Sequence, residues 1–500
     1  MAGIVPIRKR ASTGVALVPF RMRKVGPDVL LTSPWGDWVF VTEQELDALA
    51  SGTLQGGTAL HAKLSERGFL RDGVDAAALA ERVSRRKRFL DAGPNLHILI
   101  PTLRCNQTCV YCHASRADMS DTSTDMTQET ADKVVDFIFQ STSPRITIEF
   151  QGGEPLANFP LVKYVIERAK DKNQQEDKTL EFTLVSNLSL LDDEKLDYLV
   201  ANKVQVCTSV DGPATLHDKQ RVLASGSSHA EAVRWIKRIN TRYAEMGLDP
   251  VLYHVEALIT TTRAALAMPK QIVDTYVDLG CRAIFLRPVD PFGFAAQTGK
   301  TIEYDRAEFL DFYREAVGHI LALNKQGTQV LERYAAIFLT KILGDDDPNY
   351  LDIRSPCGAG IGQLAYNHDG KIFTCDEGRM VHQMGDSFFQ IGKVGETRYR
   401  QVMLSDTVRA LTVASNLDAQ PDCVACVYNP YCGVCPVHSY ATQGSIFGRM
   451  RESSWCAVHK GIQDFLFEML HDSDPETVDT LRRWTTIRER AHFVQPRCSE

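Results

Sequence analysis

The chain has 500 residues, 44% hydrophobic and 24% charged, with a formal net charge of −7 and a pI near 6.0. These values suit a globular protein of several domains and exclude the bulk positive charge that draws a protein to nucleic acid or an anionic membrane. No run approaches the ~20 apolar residues of a membrane span, and the basic Arg8, Lys9 and Arg10 lead into no signal-peptide core, so a cytoplasmic location is expected.

Residues 1–93 read as a small α+β module. Val29–Thr32 and Trp38–Val41 are strand-like and flank Ser33-Pro34-Trp35-Gly36-Asp37, which is turn chemistry. A helix starts at Thr42, where Thr42 and Glu45 have capping-box spacing. A second helix carries Leu60 and Leu64 and stops at Gly68, and a third covers about 75–91.

From 94 to 330 strands and helices alternate. Leu96–Ile100, Ile146–Phe150, Leu180–Val185, Val204–Val210, Val255–Ile259 and Ala283–Leu286 read as strands. Helix-period segments start at Thr127 and cover about 159–171, 192–202, 229–246 and 268–279. The pattern predicts an α/β fold: a parallel sheet curved into a full or partial barrel of six β–α units, with its site at the C-terminal strand ends. The first cysteines, Gly152-Gly153-Glu154-Pro155, Ser186-Asn187 and Asp211-Gly212-Pro213 each directly follow an expected strand. Residues 340–470 are expected to be rich in loops, glycines and cysteines, with a short helix over 461–470, and 471–500 to form a C-terminal tail.

Ten of the thirteen cysteines fall within 105–112 and 357–456. A disulfide framework suits small secreted domains, so this clustering points to metal. Cys207, Cys281 and Cys498 read as bystanders, since a buried free cysteine behaves as a small hydrophobe. Cys105, Cys109 and Cys112 offer three thiolates in one loop, and a cubane cluster normally takes four. Three leave one iron open to a substrate or cofactor. The alternatives are zinc, which favours paired C-x2-C knuckles, and plain buried cysteines. In the second group, Cys423, Cys426, Cys432 and Cys435 have zinc-ribbon spacing, which would leave Cys357, Cys375 and Cys456 unused.

Cys105-Asn106-Gln107-Thr108-Cys109-Val110-Tyr111-Cys112 resembles the signature of the radical S-adenosylmethionine (SAM) superfamily. The resemblance implies a [4Fe–4S] cluster whose open iron binds SAM and whose electron cleaves it to a 5′-deoxyadenosyl radical. It places Tyr111 against adenine and Gly152, Gly153 and Glu154 at the SAM amino group. Ser186, Ser209 and Arg221 would contact ribose or carboxylate. Arg221 reads equally as a solvated surface arginine, and Asp211 as a turn residue.

The second group resembles a SPASM auxiliary-cluster domain. That implies a first auxiliary cluster on Cys357, Cys375 and Cys435, and a second on Cys423, Cys426, Cys432 and Cys456. Two residues separate Cys432 from Cys435, where the family usually has three. Position 363 is Gln363, where some members have a further cysteine, so the first cluster would keep an open iron. Asp376, after Cys375, matches an aspartate that accepts a proton in sulfatase-maturing relatives; its other reading is a turn cap. The N-terminal module resembles PqqD-like leader-peptide recognition domains, or is a structural extension.

Over about 28–470 the chain resembles the His-Xaa-Ser system radical SAM maturases, through Thr102-Leu103-Arg104-Cys105, Ile148–Pro155 and Thr374-Cys375-Asp376-Glu377-Gly378. This implies oxidative modification of a ribosomally made precursor peptide with His-Xaa-Ser repeats, a second radical SAM maturase as partner, and a reductant such as flavodoxin or ferredoxin. The competing readings are a sulfatase-maturase-like enzyme acting on a protein side chain and a non-catalytic metal-binding scaffold.

Overall fold

The computed structural model describes residues 15–344 and 346–497; Arg8, Lys9, Arg10 and Cys498 lie outside them. β1 (Arg21–Val25), β2 (Asp28–Thr32) and β3 (Trp38–Val41) form an antiparallel sheet in that order. Successive strand residues point to opposite faces. Val29, Leu31, Val39 and Val41 therefore meet Leu49 and Leu64 in the module's own core, while Leu30 and Phe40 join the main core of the protein. β1, with the sequence RMRKV, carries no apolar period and was not foreseen; its Arg23 is held bidentately by Asp464 at 2.7 and 2.8 Å. Helices α1 (Glu43–Ser51), α2 (Ala59–Glu66) and α3 (Ala76–Lys87) follow. The capping box forms as expected: the Glu45 amide donates to Thr42 Oγ1 at 3.2 Å and the Thr42 amide to Glu45 Oε2 at 2.9 Å.

The central segment runs β4 (Leu96–Leu99), β5 (Gln107–Cys109), α4 (Gln128–Ile138), β6 (Arg145–Phe150), α5 (Phe159–Glu176), β7 (Thr179–Val185), α6 (Asp193–Ala201) and β8 (Val204–Ser209). It continues with α7 (Ala214–Gln220), β9 (Arg221–Leu223), α8 (Ser228–Glu245), β10 (Glu256–Thr261), α9 (Pro269–Asp278), β11 (Ala283–Ile284) and β12 (Leu286–Pro288). Strands β4, β6, β7, β8, β10 and β12 pair in parallel in that order. Ile146, Ile148 and Phe150 point to the helices and are fully buried, so Thr147 and Glu149 point to the inside of the curve. The expected last strand is divided. Residues 283–284 pair with β13 (Leu331–Glu332), Phe285 turns onto Tyr334 with ring centroids 4.7 Å apart, and pairing to β10 resumes at Leu286.

Between these come α10 (Phe294–Ile302) and α11 (Arg306–Lys325), and after β13 comes α12 (Arg333–Leu343). The cysteine-rich segment holds β14 (Gln363–Tyr366), β15 (Lys371–Phe373), α13 (Asp376–Gln383), β16 (Gln390–Lys393), α14 (Tyr399–Met403), α15 (Asp406–Ser415) and α16 (Pro436–Gln443). It is not loop alone. β14 pairs in parallel with β4, Gln363 opposite Leu96 through Tyr366 opposite Leu99, and β15 and β16 extend the same sheet. All four residues of β14 are buried, so it has no alternating pattern to betray it. The expected helix over 461–470 is the longer α17 (Ser454–Asp472).

Residues 471–497, expected as a tail, pack on the body instead. α18 (Pro475–Arg483) is followed by a segment that buries Trp484 and Phe493. Val494 bridges to Glu181 and the Gln495 amide donates to Leu180 O at 2.9 Å, at the N-terminal end of β7. Among the described residues no helix is long and apolar enough to cross a membrane.

Glu332, fully buried, accepts from Tyr313 Oη at 2.5 Å and from the Ala335 amide at 2.8 Å. Burial pushes its carboxyl from 4.5 up to about 7. Between those values the folded state holds the proton more tightly than the unfolded chain, so this group's stability contribution falls as pH rises across the window. Glu332→Gln keeps an acceptor oxygen without the charge. It is expected to raise stability at pH 8 by on the order of 3 kcal/mol and by less at pH 5, read by thermal denaturation. An equal effect at both pH values would refute the assignment.

Candidate functional site

The loop after β4 is seated by the segment after β6. The Gly153 amide donates to Thr102 O at 3.0 Å and the Glu154 amide to Arg104 O at 2.7 Å. A Cβ on Gly153 would lie 2.2 Å from Leu103 O and 2.4 Å from Arg104 O; one on Gly152, where φ is +134°, would lie 2.4 Å from Thr102 O. Only glycine permits this approach, so the pair has a structural duty in presenting Cys105. Glu154 is fully buried and accepts from Ser186 Oγ at 2.8 Å, the Asn187 amide at 2.7 Å and the Leu156 amide at 3.0 Å. Burial raises its pKa against those donors. Asn187 Nδ2 reaches Asn106 Oδ1 at 3.1 Å and lies 3.8 Å from Cys105 Sγ. Cys105, Gly152, Gly153, Glu154 and Ser186 are therefore one connected rim.

Cys109 ends β5, which pairs antiparallel with β9 so that Cys109 faces Arg221. Tyr111 Oη donates to both Asp211 oxygens at 2.5 and 2.7 Å and accepts from Arg221 Nε at 2.7 Å. Arg221 Nε lies 3.4 Å from Asp211 Oδ2, with side chains 12% and 0% exposed. The solvated-arginine reading of Arg221 is thus overturned, and Asp211 is a buried counter-ion rather than only a turn residue. Three-residue strands give no periodic signal, and the triad joins positions over a hundred apart; neither was legible in the sequence. Ser209 ends β8 on the same inward face as Cys207.

The thiols suit a cation. Burial, with Glu154 next, pushes Cys105 up to about 12. Burial, opposed by Arg221, takes Cys109 to about 11. Positively charged irons would reverse that penalty and hold both as thiolates. Among the described residues no three Cys, His, Asp or Glu side chains are gathered tightly enough for a single metal ion.

Inside the curve lies a cavity of about 480 Å³. His113 and Gln151, beside the cysteine loop and the Gly152 turn, line one part; Asp352, Asp376 and Glu377 line another. Glu149, Glu256, Arg287 and Arg333 lie on its wall. Arg333 Nη1 holds Glu256 at 2.9 Å, with Arg490 from the C-terminal segment as its other partner. Among the described residues Glu149 accepts from the neutral donors Gln151 and Thr183, at 2.5 and 3.0 Å, and burial raises it. Glu377 is pushed up to about 8 by burial, then by Asp352 and Asp376. Asp376 opens α13 and is paired with the fully buried Arg379 at 2.7 Å. Cys207, expected as a core hydrophobe, faces this cavity because β8 alternates inward at 205, 207 and 209; Cys281 is fully buried as expected. The same period in β6 would have exposed Glu149 and Gln151 as site residues.

The seven C-terminal cysteines separate into two places. Cys357, Cys375 and Cys435 share a buried cluster with Phe292 and Phe389. Cys423, Cys432 and Cys456 share another with Leu417 and Met450, and Cys426 lines the same pocket as these three. Cys375 and Cys435 each cap a helix, with the Gly378 amide 3.3 Å and the His438 amide 3.4 Å from sulfur. The short gap works through Gly433. A Cβ there would lie 2.5 Å from Ile353 C, so the chain passes against that backbone and sends Cys432 and Cys435 to different groups. The set Cys423, Cys426, Cys432 and Cys435, required by a zinc ribbon, is divided between them.

Residues 99–253 match the family model of the radical SAM superfamily. An uncharacterized protein of Archaeoglobus fulgidus is 24% identical over 422 residues, 84% of this chain and 91% of its own. The serine-type anaerobic sulfatase-maturating enzyme of Bacteroides thetaiotaomicron is 30% identical over 121 residues, which is 23% of this chain and 29% of that enzyme. Among solved structures, anSMEcpe with bound AdoMet superposes with a TM-score of 0.62 at 17% identity, covering 78% of this chain and 99% of that one. Streptococcus suis SuiB bound to precursor peptide SuiA gives 0.51 at 12% identity, covering 88% and 100%. With its parallel-stranded core and three-thiol loop, the chain is similar over residues 99–253 to the radical SAM superfamily, whose members use a [4Fe–4S] cluster and SAM, and over part of its length to peptide- and protein-modifying maturases.

Proposed function

We propose that this chain oxidatively modifies a ribosomally made precursor peptide, one with His-Xaa-Ser repeats, by SAM-derived radical chemistry. The observation that carries the reading is the cavity lined by His113, which directly follows the Cys105–Cys112 loop, and by Asp376, Glu377 and Phe292, of which Phe292 packs with Cys357, Cys375 and Cys435. Bound at Cys105, Cys109 and Cys112, a cluster with SAM supplies one electron and a hydrogen-abstracting 5′-deoxyadenosyl radical. The chain's own residues hold that chemistry in place. Glu154 and Ser186 shape the rim for the SAM amino group and ribose. Tyr111, fixed by Asp211 and Arg221, offers its ring beside the adenine position. Asp376, held by Arg379, stands ready to take the proton released as the substrate is oxidised. Cys357, Cys375 and Cys435 would hold one auxiliary cluster and Cys423, Cys426, Cys432 and Cys456 a second. Carboxylates outnumber guanidinium groups on the cavity wall, which favours a cationic side chain such as a histidine of the repeat. The three-stranded module would take the leader segment by strand addition. A flavodoxin or ferredoxin in the cytoplasm would supply electrons, and a second radical SAM maturase would act on the same peptide.

The test is anaerobic co-expression with short peptides encoded beside the gene, followed by mass spectrometry. A repeat-bearing peptide with an altered mass is the expected result. An unaltered peptide together with an oxidised sulfatase side chain would favour the sulfatase-maturase reading, which the anSMEcpe-like fold supports. Bound zinc without SAM cleavage would leave only the scaffold.

A further inference from the structure

Arg21 of β1 reaches out of the N-terminal module into the loop between Cys423 and Cys426. Its Nε donates to Val424 O at 2.7 Å, and its Nη2 lies 3.6 Å from Asp418. The side chain is 13% exposed, and Nη1 is enclosed with no hydrogen-bond partner. A buried guanidinium nitrogen left unpaired is costly, and after Asp418 the Cys426 sulfur is the next opposite charge acting on this guanidinium. Arg23, Arg451 and Lys460 line the same pocket as Cys423, Cys426, Cys432 and Cys456. On the other auxiliary group, the neighbours toward the cavity are Asp352 and Glu377. In the pocket of the second group Arg23 is paired with Asp464 and Arg451 with Asp422.

We propose that Arg21 tunes the reduction potential of the cluster at Cys423, Cys426, Cys432 and Cys456, making the N-terminal module one wall of that redox site. The inference rests on the cluster assignment of the proposed function. Reduction adds one electron and makes a cluster more negative, so a cation held against the Cys423–Cys426 loop stabilises the reduced form and raises the potential. The module therefore has a second duty beside any peptide it captures, and Arg21 is a positioning and tuning residue that touches no substrate.

The experiment uses the full chain with Cys105, Cys109 and Cys112 replaced by Ala, reconstituted anaerobically with iron and sulfide and titrated potentiometrically by EPR. Arg21→Gln is expected to shift one of the two remaining waves to lower potential. At fixed ambient potential the reduced-to-oxidised ratio should fall about tenfold, equivalent to about 59 mV for one electron. The other wave should stay, and Arg21→Lys should restore most of the shift. Lys460→Gln, at a half-buried site lining the pocket of these cysteines, should lower the same wave by less; it keeps the test open if Arg21→Gln fails to fold. An unmoved wave in both the Gln variants, or equal movement of both waves, overturns the proposal. Replacing Cys423 and Cys426 with Ala separates the two ideas. Unchanged iron content would refute the cluster assignment itself, whereas a lost cluster with an Arg21-insensitive potential refutes only the tuning.

Discussion

With Cys105, Cys109 and Cys112 all changed to Ala, deoxyadenosine formation is expected to fall to background and bound iron to drop by about four per chain. The fold is expected to survive, because the loop is not held by its thiols. It is held by the backbone bonds from Gly153 and Glu154, by the β5–β9 ribbon and by the Tyr111–Asp211–Arg221 triad. Circular dichroism and melting temperature should change little, and removing the Cys105 and Cys109 thiols, whose ionisation burial opposes, leaves no uncompensated charge. Deoxyadenosine quantified after anaerobic reduction with SAM decides the matter. Persistence of that product would mean that the radical site lies elsewhere, whatever the iron count.

Gly153→Ala is expected to be nearly as damaging to activity without removing any ligand. Its Cβ would stand 2.2 and 2.4 Å from two carbonyl oxygens of residues 103 and 104, closer than any real contact, and both belong to backbone that cannot rotate away. The segment leading into Cys105 must shift. Overpacking of this kind costs about 1–3 kcal/mol, and a displacement near 1 Å at a reacting centre costs about 10²-fold in rate. SAM cleavage should fall accordingly even if iron content is retained. Gly318→Ala is the matched control. It lies in the middle of α11 with nothing within 4 Å of its Cβ, so it should be neutral or slightly stabilising. Equal activity in the two variants would remove the seating role from Gly153.

The parts legible in the sequence were those written in short-range pattern. Apolar runs separated by helix-period segments located β4, β6, β7, β8, β10 and the divided β11–β12 strand to within a few residues, and the cysteine loop, Gly152–Glu154 and Ser186 were expected at strand ends that the fold brings to one rim. Thr42 and Glu45 announced their helix start through a contact three residues long. These features depend on neighbours along the chain, whose geometry is set by backbone period and covalent reach.

What the sequence could not carry were features settled by which segments meet. The placement of Arg221, surface or core, rested on Asp211, ten residues before it, and on Tyr111, about a hundred residues from both. Cys207 looked like core until the sheet's curvature decided that its face was the cavity. Family resemblance divided the seven C-terminal cysteines as the fold divides them, but their spacing alone left a zinc ribbon open. The contact of Gly433 with Ile353 is what parts Cys432 from Cys435. β14 joins β4 across more than 260 residues, and Arg490 reaches Glu256 from the far end of the chain. By itself the sequence determined the chemistry on offer: three thiols in one loop, seven more downstream, and a rim of glycine and polar residues. Only the tertiary structure decided which thiols stand together, which carboxylates share a cavity and which guanidinium groups answer them, because long-range packing, unlike helical or strand period, leaves no repeat in the local order of residues.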